Sequence, residues 1–171
     1  MTAMRAGWRA CLGMVVLGLV ASCGGGDDEG SERSWVGNIE AAMEAVEGVR
    51  GGDQEYFEVT ANPQLANVFV AVEDATAAVP YVFLDGELQE PAPVLDGASG
   101  FTFTLDDVEF DDEAILSTVE AELPGVTIDA LSVEGGDGGT VRYVVSARSE
   151  QGGVLDITVG PDGTVFAVDP L

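Results

Sequence analysis

Residues 126–169 read VTIDALSVEGGDGGTVRYVVSARSEQGGVLDITVGPDGTVFAVD, and the punctuation of this stretch decides the fold. Four runs rich in β-branched residues, Val126 to Glu134, Thr140 to Arg148, Val154 to Val159 and Thr164 to Asp169, are separated by turn signals. Those signals are Gly135-Gly136-Asp137-Gly138-Gly139, Glu150-Gln151-Gly152-Gly153 and Pro161-Asp162-Gly163. In the second run Tyr143, Val145 and Ala147 alternate with Arg142, Val144, Ser146 and Arg148. That is the period of a strand with one face on a core and one nearer water. Connections this short join antiparallel neighbours, so the last third of the chain is an antiparallel sheet.

Upstream of that sheet a helix is expected from Asp111 through Leu123, with Ile115, Leu116, Val119 and Leu123 on one face. Asp111 suits its cap, and Phe110 and Ile115 stand at the spacing of a hydrophobic staple. Asp112 and Glu113 suit the positive end of the helix dipole, and Pro124-Gly125 ends the helix. Phe101 to Leu105 reads as a short strand, and Asp96 to Gly100 as a loop.

The first half reads similarly. Trp35, Val36, Ile39, Met43 and Val46 share one helical face opposite Glu40, Glu44 and Glu47, with Ser34 as cap and Gly48 as stop. Strands follow at Glu55 to Thr60, Ala66 to Glu73 and Val79 to Leu84, then an Asp85-Gly86 turn into Glu87-Leu88-Gln89, closed by Pro91-Ala92-Pro93. Glu40 to Pro91 and Glu113 to Pro170 thus share one order: helix, three strands, Asp-Gly turn, strand, Pro. The expectation is an α+β fold of two similar units, 34–95 and 96–171. Each would be an amphipathic helix packed on a three- to four-stranded antiparallel sheet. Units near 55 residues are marginal alone, which favours a shared interface or a continuous sheet.

Residues 112–171 resemble a PepSY-type module. The carrying residues are Ala114-Ile115-Leu116, the strand Val141-Arg142-Tyr143-Val144-Val145, and Val154 through Val165 with its Gly160-Pro161-Asp162-Gly163 turn. The resemblance implies an interaction or inhibitory role at the cell envelope and carries over no catalytic residue. The first half departs from the pattern, with Pro80 inside a strand and no Gly-rich step before Asp85, so the tandem repeat rests on the order of elements.

The amino terminus carries an address. Arg5 and Arg9 precede an apolar run, Cys11 to Val20, that is too short to span a bilayer, so residues 1–22 read as an export signal. Leu19-Val20-Ala21-Ser22-Cys23 resembles the lipobox of bacterial-type lipoproteins, which implies acylation of Cys23, palmitate included, and a membrane anchor outside the cytoplasm. A plain secretory signal cleaved near Ala21-Ser22, or an uncleaved anchor, is the competing reading. Residues 23–33 continue as a Gly-rich acidic tether with no apolar side chain, spanning about 17 Å as a coil. Cys11 leaves with the signal and Cys23 takes lipid, so no thiol remains for a disulfide or a zinc site.

Six Arg, no Lys and no His stand against 31 acids, for a formal net charge of -25. Without Arg5 and Arg9, four Arg face the same 31 acids, a net charge of -27. Such a chain repels nucleic acid and anionic lipid. Lacking His and Lys, it also lacks the commonest general base and Schiff-base chemistry. The reading is therefore a non-enzymatic binding module at the envelope, with no cofactor and an unknown protein or apolar ligand as partner. The alternatives are a carrier of lipid or another apolar ligand, and a carboxylate-based glycan hydrolase.

Few residues stand out as sites. Asp107, Glu109 and Asp111 are the densest oxygen ligands for a cation. They fail the EF-hand template, because Asp112 falls where Gly is needed and Thr118 where the bidentate Glu belongs. A helix start crowded with favourable acids accounts for them better. Arg142 and Arg148, six apart on one strand, share a face that could meet a partner's carboxylates, although pairing with neighbouring acids is the simpler account. Trp35 is a core residue or a ligand platform.

Crowded acids set an expectation for salt. Compaction raises their mutual repulsion, and the Debye length falls from about 10 Å at 0.1 M to about 3 Å at 1 M. The melting temperature should therefore climb with NaCl between these concentrations. A flat profile in differential scanning calorimetry would show that repulsion does not limit stability.

Overall fold

The computed structural model describes residues 35–171. The expected signal, the lipid acceptor Cys23 and the tether lie outside them. The helix α1 spans Asn38–Arg50, and α2 spans Ala114–Glu122. The strands are β1 Tyr56–Ala61, β2 Leu65–Val72, β3 Ala77–Leu84, β4 Glu87–Leu88, β5 Leu95–Asp96, β6 Val126–Gly135, β7 Val141–Ser149, β8 Val154–Val159 and β9 Val165–Pro170.

The expectation of two similar helix-on-sheet units is overturned. All nine strands form one antiparallel sheet in the order β4-β3-β2-β1-β6-β7-β8-β9, with β5 also pairing β3. The physical reason lies in β1 and β6. Val59 pairs Val133 and Ala61 pairs Leu131, so neither strand is left as the inner edge of a separate sheet. Direct partners then run Tyr81, Val68, Val59, Val133, Tyr143, Val159 across six strands, and every one of them is buried. Ile39, Met43 and Val46 of α1 and Ile115, Leu116 and Val119 of α2 join the same core cluster. Both helices therefore cover one face of one sheet.

Local signals explain the elements. The expected stripe of α1 is buried throughout, but Trp35 and Val36 precede the helix rather than opening it. Gly48 does not stop it. Gly51 does, at φ 83°, its N–H donating to Glu47 O at 2.8 Å. In α2 the Asp111 carboxylate accepts from the Glu113 and Ala114 N–H groups at 3.0 and 2.8 Å, as a cap should. Gly163, at φ 82°, lets the β8–β9 turn touch this helix, because a Cβ there would sit 2.4 Å from Ile115 O.

Phe101 to Leu105 does not form the expected strand. Phe103 makes an isolated bridge to Tyr56, with exchanged N–H···O bonds of 2.8 and 3.0 Å and ring centroids 5.9 Å apart. The chain then tightens into a 3-10 turn at Leu105–Asp107.

This architecture makes the halves interdependent. A fragment of residues 101–171 keeps β7 but loses β1, the other partner of β6, together with the α1 roof and the Tyr56 ring that meets Phe103. It should show no cooperative melting transition under conditions where residues 34–171 melt sharply. An equally stable fragment would mean that the β1–β6 pairing contributes little.

Candidate functional site

With both helices on one face, the opposite face of the sheet carries no helix among the described residues. Side chains alternate across a strand, so the pairing register lays this face out in rows. One row runs Pro80, Phe69, Glu58, Glu134, Arg142. A second runs Val82, Asn67, Thr60, Ser132, Val144, Thr158, Ala167. The two halves differ in character. On β2 and β3 the face presents Leu65, Asn67, Phe69 and Ala71 beside Pro80, Val82 and Leu84, with Ala78 buried where β5 pairs with β3, and with no charge at all. From β1 onward it turns polar. Thr60 and Ser132 hydroxyls meet at 2.7 Å, and Ser146 donates to Asp156 at 3.1 Å.

Arg142 and Arg148 do share this face, and each already has an acid. Arg142 is ion-paired with Glu134, its cross-strand partner. Arg148 grips Asp129 bidentately, at 2.6 and 2.7 Å. Asp129 falls at the irregularity between Ile128 and Ala130, an offset that the spacing of residues does not announce. Arg50, the third Arg among the described residues, donates to Gln54 Oε1 at 2.6 Å. Trp35 is 6% exposed within the core, so it presents no ligand platform.

Beside Glu58 the face is hollowed. Phe57, Phe69, Ala78 and Leu95 line an open pocket of about 310 Å³ together with Glu58, Asp96 and the loop at residues 97–99. Glu58 and Glu134 lie directly opposite each other on adjacent strands, and only Glu134 has an ion partner. The Glu58 carboxylate accepts from the Thr60 hydroxyl at 2.6 Å. No pattern along the chain marks this pocket, because its walls come from four strands, β1, β2, β3 and β5.

The acidic segment is not a cation cage. Asp107 is turned back onto Thr104, accepting from its N–H and its hydroxyl at 2.8 Å each. The backbone of Glu109 is held by the Tyr143 hydroxyl, which accepts from the N–H at 3.0 Å and donates to the carbonyl at 2.8 Å. Asp111 caps α2. Among the described residues no three His, Cys, Asp or Glu converge on a metal position.

Electrostatics concentrate instead where α1 meets the start of α2. Burial, then Asp112 and Glu44, push the Glu40 carboxyl above its ordinary value of 4.5. Burial, then Asp111 and Glu113, push Asp112 above 3.8. Two other groups go the opposite way. Hydrogen bonds from Thr104 hold Asp107 below 3.8, and hydrogen bonds from Thr164 do the same for Asp162.

No family model matches this chain, the PepSY type included, and no curated protein matches it. Among solved structures it is similar to a crystal structure of a "putative lipoprotein" from Clostridium difficile 630, with a TM-score of 0.55 and 15% identity. The match covers 76% of this chain and 90% of that one. At that identity the likeness shows a shared fold.

The carboxyl shifts give stability a pH dependence whose sign can be worked out. Glu40 and Asp112 bind protons more tightly folded than unfolded, so their effect is stabilising at low pH and is lost as pH rises through their raised folded values. Asp107 and Asp162 stabilise above 3.8, and that contribution is lost as pH falls through their lowered values. The melting temperature should rise as pH is lowered from neutral into the range just above 4.5 and should turn down below 3.8. Glu40→Gln should flatten the rise. A profile level from neutral down to 4.5, in both proteins, would contradict the burial of these acids.

Proposed function

We propose that this chain is an exported lipoprotein of the cell envelope, held on a membrane by lipid on Cys23 and acting there by binding rather than by catalysis. The observation that carries the reading is Leu19-Val20-Ala21-Ser22-Cys23, placed at the end of an apolar run that follows two Arg. Two small residues before the cysteine fit a processing site, and the acidic Gly-rich stretch behind it keeps the folded domain clear of the bilayer surface. One acyl chain holds a protein only marginally, whereas the diacylglyceryl group implied by the lipobox supplies two on one residue. The shared fold with a protein named as a putative lipoprotein supports the same reading. A binding role is favoured by composition, since a chain without His or Lys has few groups that exchange protons near neutral pH.

Cys23→Ser should abolish palmitate labelling and leave the protein unprocessed or released from membranes. Cys11→Ser should change neither. A Cys23→Ser protein that is mature, membrane-bound and detergent-requiring would refute the assignment.

A further inference from the structure

We propose that the uncovered face of β1, β2 and β3 docks a polypeptide segment that presents an apolar side chain next to a Lys or Arg. The apolar side chain enters the pocket between Phe57, Phe69 and Leu95, and the cation meets Glu58. This names a partner class for the binding role proposed above and rests on that role, not on the anchor.

Three observations combine. The face carried by β2 and β3 is uncharged, on a protein whose described residues hold 27 acids against three Arg. Contiguous apolar surface in such a setting marks an interaction site. At its margin the pocket of about 310 Å³ has apolar walls on several sides and is open above, a shape that takes a side chain. Glu58 stands on the rim of that pocket, directly beside Phe69 on the neighbouring strand, and Asp96 of β5 adds a second carboxylate to the lining.

The charge at Glu58 selects the occupant. Glu58 faces Glu134 across the β1–β6 pairing, and the single cation of that row, Arg142, is bound to Glu134. Arg142 offsets the charge of Glu134 but not that of Glu58, so Glu58 keeps a carboxylate with no ion partner, which a cation supplied from outside can meet. Thr60 holds the Glu58 carboxylate in place by a 2.6 Å hydrogen bond, which orients it before any partner arrives. A second copy of this chain would bring a further excess of acids to the same surface, and an anionic bilayer would be repelled as well. A basic and apolar polypeptide matches both the sign of the rim and the chemistry of the pocket.

The test uses the full chain in phosphatidylcholine nanodiscs and two short capped peptides, one with Leu-Phe flanked by Lys and one with the same pair flanked by Glu. Calorimetry should show binding of the Lys peptide alone, weakening as NaCl rises from about 0.1 to 1 M. Hydrogen exchange should slow over β1 to β3 when that peptide is added. Glu58→Gln keeps an acceptor for Thr60 but removes the charge, and Phe69→Ala removes a wall of the pocket. Each should weaken binding about tenfold, in the range of a truncated interface contact, and Glu58→Gln should leave the melting temperature unchanged or higher. Equal binding of the two peptides, no binding at about 1 mM, the strength that corresponds to only about 4 kcal/mol, or indifference to Glu58→Gln would overturn the proposal. So would protection of β1 to β3 in nanodiscs without peptide, which would make lipid the occupant, or a dimer buried on these strands, which would make it a second copy. A chain that proves not to be lipidated can be assayed in free solution with the same peptides, so failure of the anchor and failure of the docking site give different results.

Discussion

The pairing of β1 with β6 is the constraint on which the rest of the structure depends. It joins two antiparallel meanders that run outward in opposite directions, and it places Val59 against Val133 and Ala61 against Leu131. Each fully buried Val contributes about 1.5–3 kcal/mol, and each backbone hydrogen bond about 0.5–1.5 kcal/mol net. A seam of four residue pairs therefore weighs as much as the margin by which a small domain is stable. Because side chains alternate with a period of two, fixing this one register commits every strand from β3 to β8 to the same core face. Both helices must then lie on that face, and the other stays open to the surroundings.

Much of this was legible along the chain and the seam was not. Strands such as Val141–Ser149 announce themselves by alternation, and the helix stripes by a spacing of three and four, because each reflects which local side is buried. The pairing of β1 with β6, by contrast, is chosen by residues some seventy positions apart in sequence, as Thr60 and Ser132 are. That choice leaves no local trace, so two helix-and-strand series read as two units. Phe101 to Leu105 misled for a related reason. Its alternation suits a strand, but only Phe103 finds a partner, and the reciprocal bonding of Thr104 with Asp107 turns the chain into a 3-10 turn.

The candidate surface divides along the same line. Arg142 and Arg148 could be assigned to one face from their even spacing alone. That each is already neutralised follows from register, since Glu134 is the direct partner of Arg142 and Asp129 reaches Arg148 from an irregular position in β6. The juxtaposition of Glu58 with Phe69 and Glu134 needs three strands in register, and nothing in the run Tyr56 to Ala61 distinguishes Glu58 from any other acid of an acidic chain. Trp35 shows the converse: a residue conspicuous by its rarity is an ordinary member of the core.

The distribution of charge gives the fold its direction. A chain this acidic must place carboxylates somewhere, and turns, helix starts and the outer face of α1 take many of them, where water screens them and where backbone N–H groups can bond them, as at Asp107 and Asp111. The three described Arg stabilise particular positions rather than the whole, two of them by fastening acids on the uncovered face. What remains of that face is an uncharged area on β2 and β3 bordered by the carboxylates of Glu58 and Asp96, neither with a cation of its own. Apolar attraction acts at short range and is indifferent to the identity of the partner, while the surrounding negative field reaches further and rejects other anions before contact. Selection among partners thus rests on the long-range charge and retention on the pocket, and the two meet at Glu58 because β1 is the strand on which the apolar and the charged halves of the face adjoin.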